Sequence, residues 1–99
     1  MIPDRYNPRR KHSTSYYSAV LRIIADGLLT GQTQLTIRET LTNLGLRSPT
    51  NGEWTEAALS GVLARIRNRS GYFYTSLLEL VVQDEISHFQ LQRILRSHS

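Results

Sequence analysis

Between Thr36 and Arg69 the sequence carries the start and stop signals of two short helices and one loop, and that punctuation restricts the chain to a helical design. Thr36-Ile37-Arg38-Glu39 has the form of a capping box, in which a hydroxyl and a carboxylate satisfy amides that a first helical turn leaves open. Ile37, Leu41 and Leu44 follow as an apolar stripe, and Gly45 supplies the stop. Leu46 to Glu53 contains Pro49 and Asn51-Gly52, a turn dipeptide that tolerates positive φ, so a loop or small wing is expected. Trp54 then precedes a second cap at Thr55, as a core residue bracing a helix whose Leu59, Val62, Leu63 and Ile66 share one face. That helix runs into Arg65-Ile66-Arg67-Asn68-Arg69.

Helical spacing continues on both sides. Ser13, Thr14 and Ser15 offer N-cap oxygens, and Tyr17, Val20, Leu21, Ile24 and Leu28 recur at intervals of three and four, which predicts a first helix ending near Gly27 to Gly31. Past Gly71, Tyr72 to Thr75 reads as a short strand or as aromatic packing. Leu78, Val81, Val82, Ile86 and Phe89 predict a C-terminal helix over about 76–96, with a break near Asp84. Residues 1–12, with two of the three prolines and four basic side chains, read as an extended arm. The expectation is an all-α domain over 13–99, with a three-helix helix-turn-helix core, its helix-turn-helix at about 36–69, and an additional C-terminal helix.

Ninety-nine residues supply one hydrophobic core. There is no cysteine, which excludes disulfides, thiolate metal sites and cysteine nucleophiles, and the three histidines lack neighbouring ligands, so no metal and no cofactor are expected. No apolar run reaches the roughly 18 residues of a membrane span and no signal peptide is written at the N-terminus, so a cytoplasmic protein without membrane contact is expected. The net charge is +4, and 11 of the 12 basic residues are Arg, whose planar fork suits phosphates and base edges.

A helix rises with about 100° per residue, so turning Leu59, Val62, Leu63 and Ile66 inward puts Ala57, Gly61, Ala64 and Asn68 on the far side, flanked by Ser60 and Arg65. This small, nearly uncharged face has two explanations. It gives the clearance a helix needs to enter a major groove, with Ser60, Arg65 and Asn68 as hydrogen-bonding groups, or it lets another helix pack closely, as an internal surface or a dimer seam. Arg65, Arg67 and Arg69 can reach phosphates and also complement the helix dipole, whereas Glu56 in the first turn opposes them. Arg9, Arg10 and Lys11 belong to an arm of the kind that lies along phosphates or in a minor groove. Glu79, Asp84 and Glu85 make the C-terminal segment acidic and suit it to a partner protein or a second subunit. No nucleophile elbow, phosphate-cradling glycine loop or metalloprotease motif occurs, so catalysis is not expected.

Ile24, Gly31, Ile37, Leu41, Gly45, Pro49-Thr50, Gly52, Trp54-Thr55 and Val62-Leu63, and above all the run Leu44 to Thr55, resemble the small helix-turn-helix region that follows the catalytic domain of large serine recombinases. The resemblance covers about half the chain. It implies a DNA-binding module with Thr55 and the helix after it turned toward DNA, and a free-standing copy is similar to small proteins of phages and other mobile elements. It does not imply strand exchange, because the recombinase catalytic domain has no room in 99 residues. Where that family carries polar or basic residues along its reading helix, this chain has Ala57, Ala58 and Gly61.

The expected function is therefore that of a small DNA-binding protein, a transcriptional regulator or recombination accessory factor, with helix 55–68 in the major groove. The expected contacts are Arg9, Arg10, Lys11, Arg47, Thr55, Ser60, Arg65, Arg67, Asn68 and Arg69. A homodimer through the C-terminal helix would enlarge the contact. The competing expectations are a protein-interaction module that inhibits a host protein or nucleoprotein complex, and RNA binding through the arm.

Overall fold

Capping chemistry sets the order of elements. The computed structural model describes residues 13–96, and their regular elements are α1 (Thr14–Leu29), α2 (Gln34–Asn43), α3 (Glu56–Arg67), α4 (Gly71–Val82) and α5 (His88–Arg96). The all-α class is as expected. Ser13 Oγ accepts from the Tyr16 amide at 3.2 Å and opens α1. Thr55 Oγ1 accepts from the Ala58 amide at 3.1 Å and opens α3.

α2 departs from the expected capping box. It starts three residues earlier, at Thr33, whose Oγ1 accepts from the Thr36 amide at 3.2 Å. Thr36 thus lies inside the first turn, and the two hydroxyls meet at 3.0 Å. The reciprocal box is found at α5 instead, where the Ser87 amide donates to Gln90 Oε1 and the Gln90 amide donates to Ser87 Oγ.

Helices α1 to α4 end alike. A residue of positive φ stands two positions past the last helical one, at Gly31, Gly45, Arg69 and Asp84. Around it two amides reach back into the last turn, as Gln32 to the Gly27 carbonyl and Leu46 to the Leu41 carbonyl, and as Ser70 to Arg65 and Glu85 to Leu80. Asp84 therefore breaks the expected 76–96 helix into α4 and α5, and the Tyr72 to Thr75 segment is the first turn of α4.

Helices α1 and α3 each pack against α2, α4 and α5, so α4 belongs to the core as fully as the first three helices. The buried set includes Val20, Leu21 and Ile24 of α1, Ile37 and Leu41 of α2, Leu59, Val62, Leu63 and Ile66 of α3, and Phe73, Leu77 and Leu80 of α4. Burying such a side chain stabilises by about 1.5–3 kcal/mol. Leu44, expected in the stripe, is 59% exposed, because the chain leaves the helix at that residue. Leu78, Val82 and Phe89 are exposed too. The run Leu77-Leu78-Glu79-Leu80-Val81-Val82 permits more than one helical phase, and Phe73, edge-on to Tyr17 at 5.0 Å, goes with the phase that buries Leu77 and Leu80.

Helices α2 and α3 pack together across residues 44–55, a longer link than the three or four residues of a helix-turn-helix turn. That link is held by the Trp54 Nε1, which donates to the Leu46 carbonyl at 2.9 Å, and by buried Ser48, whose Oγ accepts from the Gly52 amide at 3.1 Å. Asn68, Arg69 and Ser70 make a much shorter turn between α3 and α4.

Candidate nucleic-acid interface

The candidate interface is built on α3 because its inward face is fully used. Leu59, Val62, Leu63 and Ile66 are at most 3% exposed, so the opposite face must look outward. Ala57, Ala64 and Asn68 are exposed, and Ser60 and Gly61 are half-buried. A methyl group added at Gly61 would meet no atom within 4 Å. No neighbouring helix of the described chain occupies the small face, which removes the expectation that it is an internal seam.

On a wheel of about 100° per residue, Arg65 and Arg67 stand roughly 160° apart, on opposite edges of the Ala57, Gly61, Ala64 and Asn68 strip. Both are half-buried, whereas Asn68 and Arg69 are exposed. Asn68 is the C-cap of α3, and Arg69 holds φ of 56°, a left-handed conformation costing a side-chain-bearing residue about 1–2 kcal/mol. Arg65, Arg67, Asn68 and Arg69 are thus brought to one end. Thr55 and Ser60 are not: Thr55 sits at the other end of α3, about 18 Å away, and its hydroxyl oxygen serves as the cap. Glu56, exposed in the first turn, shares that far end, so its repulsion of phosphate is separated from the arginines.

Other groups gather at the end where α4 begins. The Tyr16 hydroxyl donates to the Arg47 carbonyl at 2.6 Å, and the Tyr16 ring meets Phe73 at 6.3 Å. Burial, with a smaller contribution from Tyr17, pushes the Tyr16 phenol well above its ordinary pKa, so it remains a donor at neutral pH. Arg47 itself is exposed, with Nη1 3.5 Å from the Asn51 carbonyl. Arg9, Arg10 and Lys11 lie outside the described residues.

Sequence reasoning missed the start of α4. Its N-cap, Ser70, makes no side-chain cap bond, and Tyr72 beside it keeps 36% of its surface exposed while its ring lies 6.0 Å from that of Tyr17.

Charge is unevenly distributed along the chain. Residues 13–96 hold eight arginines and seven carboxylates, so the excess of +4 for the whole sequence falls to +1 there. Arg22 Nε and Nη2 donate to Glu85 Oε1 and Oε2, both at 2.8 Å. Three of the eight arginines, Arg65, Arg67 and Arg69, fall within five residues at the end of α3.

A separate shallow pocket of about 390 Å³ opens on α2, lined by Leu35, Arg38, Glu39, Thr42, Asn43 and Trp54. Arg38 Nε is buried there without a hydrogen-bond partner among the described residues, and Leu35 is 54% exposed. Among the described residues no helix is long and apolar enough to cross a membrane, and no group of three or more His, Cys, Asp or Glu is placed to hold a metal ion. Comparison with protein-family models, with curated proteins and with solved structures finds no match to this chain.

Proposed function

We propose that this chain is a small DNA-binding protein, acting as a transcriptional regulator or recombination accessory factor, with α3 entering the major groove. The observation that carries the proposal is the open small face of α3, clear of atoms around Gly61 and edged by Arg65 and Arg67. A major groove about 12 Å wide is bordered by a phosphate strand on each side, and arginines on opposite edges of one helix suit that arrangement. The small strip supports close approach more than base reading, because Ala57, Gly61 and Ala64 offer no hydrogen-bonding side chain. The basic arm adds Arg9, Arg10 and Lys11.

Binding of the full chain to a duplex of random sequence, measured across salt concentrations, tests it. Affinity is expected to fall steeply with salt, with each phosphate contact contributing roughly 0.9 to the logarithmic slope. Arg65→Ala is expected to weaken binding and lower that slope by about 1, and Gly61→Leu to weaken it about 10-fold or more without unfolding the protein. No binding at low salt would remove the DNA reading. The alternative, a protein-interaction module, would then stand on exposed Leu35 and Leu44 near the α2 pocket.

A further inference from the structure

We infer that the preferred substrate of this interface is duplex DNA bordered by unpaired bases, with Tyr72 as the platform on which an unpaired base stacks. The inference rests on the DNA reading above and deepens it. From the α3 strip the surface runs over Arg65 to α4: Arg65 Cδ lies 3.8 Å from where a Cβ on Gly71 would stand, and Tyr72 is the next residue. Arg69, exposed, is three residues before it. Tyr72 therefore follows directly on the residue that the Arg65 side chain approaches, with its ring against Tyr17 of α1.

That ring is held in place. Tyr72 lies at 33° to Tyr17, 6.0 Å between centroids, and Tyr17 is 2% exposed and edge-on to buried Phe73. A supported ring loses little freedom when a base covers it, yet 36% of Tyr72 remains open. Along a duplex the base faces are buried in the stack everywhere but at its two ends, so Tyr72 has nothing to stack on within it. An unpaired base presents a free π face, and stacking on an aromatic side chain combined with nearby cationic groups is how single strands are held without sequence readout. The uncharged strip of α3 and this ring together favour recognition of DNA form over sequence.

The test is fluorescence anisotropy with the full chain and three labelled DNAs of one sequence: a blunt duplex, the same duplex with a short thymine overhang, and the single strand. The overhang duplex is expected to bind on the order of 10-fold tighter than the blunt one, the size of one stacked base. Tyr72→Leu, which keeps an apolar contact with Tyr17, is expected to lose that preference and hold blunt-duplex affinity within about 2-fold, while Tyr72→Phe retains the preference. Equal affinity for blunt and overhang duplexes, tighter binding of the single strand alone, or a preference that survives Tyr72→Leu would overturn the inference. An independent readout uses the wild-type chain with 2-aminopurine in the overhang; its emission is expected to change on binding, and unchanged emission would also overturn it. Binding to none of the three DNAs would instead overturn the DNA reading itself.

Discussion

Gly27 and Gly61 both lie inside helices, where glycine costs roughly 1 kcal/mol relative to alanine, yet their surroundings differ. A Cβ at Gly27 would stand 2.5 Å from Ile37 Cγ1, and Ile37 is fully buried, so glycine is what allows α1 and α2 to approach. Gly27→Ala is expected to lose about 1–2 kcal/mol, because overpacking outweighs the gain in helix propensity. Gly61→Ala, with nothing to strike, is expected to gain about 0.5–1 kcal/mol. Urea denaturation with unchanged slopes would check both; stabilisation by Gly27→Ala would refute the close approach. Spacing alone placed Gly27 near the end of the first helix and Gly61 on the small face of α3, without showing which of them a neighbouring helix needs. The sequence announces Gly31 and Gly45 as helix stops, but Arg69 and Asp84 take the same left-handed role without a glycine to mark it.

Helix beginnings show how a motif can be right in kind and wrong in place. Thr36 and Glu39 have the spacing of a capping box, but Thr33 lies one turn earlier and captures the start, since an added turn brings Gln34 and Leu35 into the helix. Ser87 and Gln90 make the complete reciprocal box at α5. Ser87→Ala is therefore expected to cost about 1 kcal/mol, whereas Glu39→Ala should change stability by less than about 0.5 kcal/mol. Thermal unfolding followed by circular dichroism would separate them, and a larger loss for Glu39→Ala would restore the original box. The α3 face was legible from spacing because Leu59, Val62, Leu63 and Ile66 leave one phase. In α4, consecutive apolar residues left the phase open, and packing against Tyr17 and the two flanking helices decided it.

Across the whole molecule, Arg22 on α1 holds Glu85 in the link between α4 and α5, tying together segments 63 residues apart. The Arg22 hydrogen bond holds the Glu85 carboxyl below its usual pKa of 4.5, and Glu85 holds the guanidinium more firmly protonated. A carboxylate with a lowered folded-state pKa contributes stability above its unfolded value, and that contribution is lost as pH falls through the folded value. Glu85→Gln is thus expected to lower the Tm slightly at pH 7, less so at high salt, with the difference from wild type vanishing once the pH is well below 4.5. A difference that persists in acid would mean that the contact acts by packing and not by charge. By itself, the sequence determined the helical class, the inward face of α3, a capped start for α1 among Ser13, Thr14 and Ser15, the cap at Thr55 and the basic end at Arg65 to Arg69, because periodicity and capping act within a few residues. Tertiary structure decided the phase of α4, the clearance at Gly61, the Arg22–Glu85 clip and the setting of Tyr72 beside Tyr17. Those depend on which surfaces meet across the chain, and local spacing carries no record of the partner.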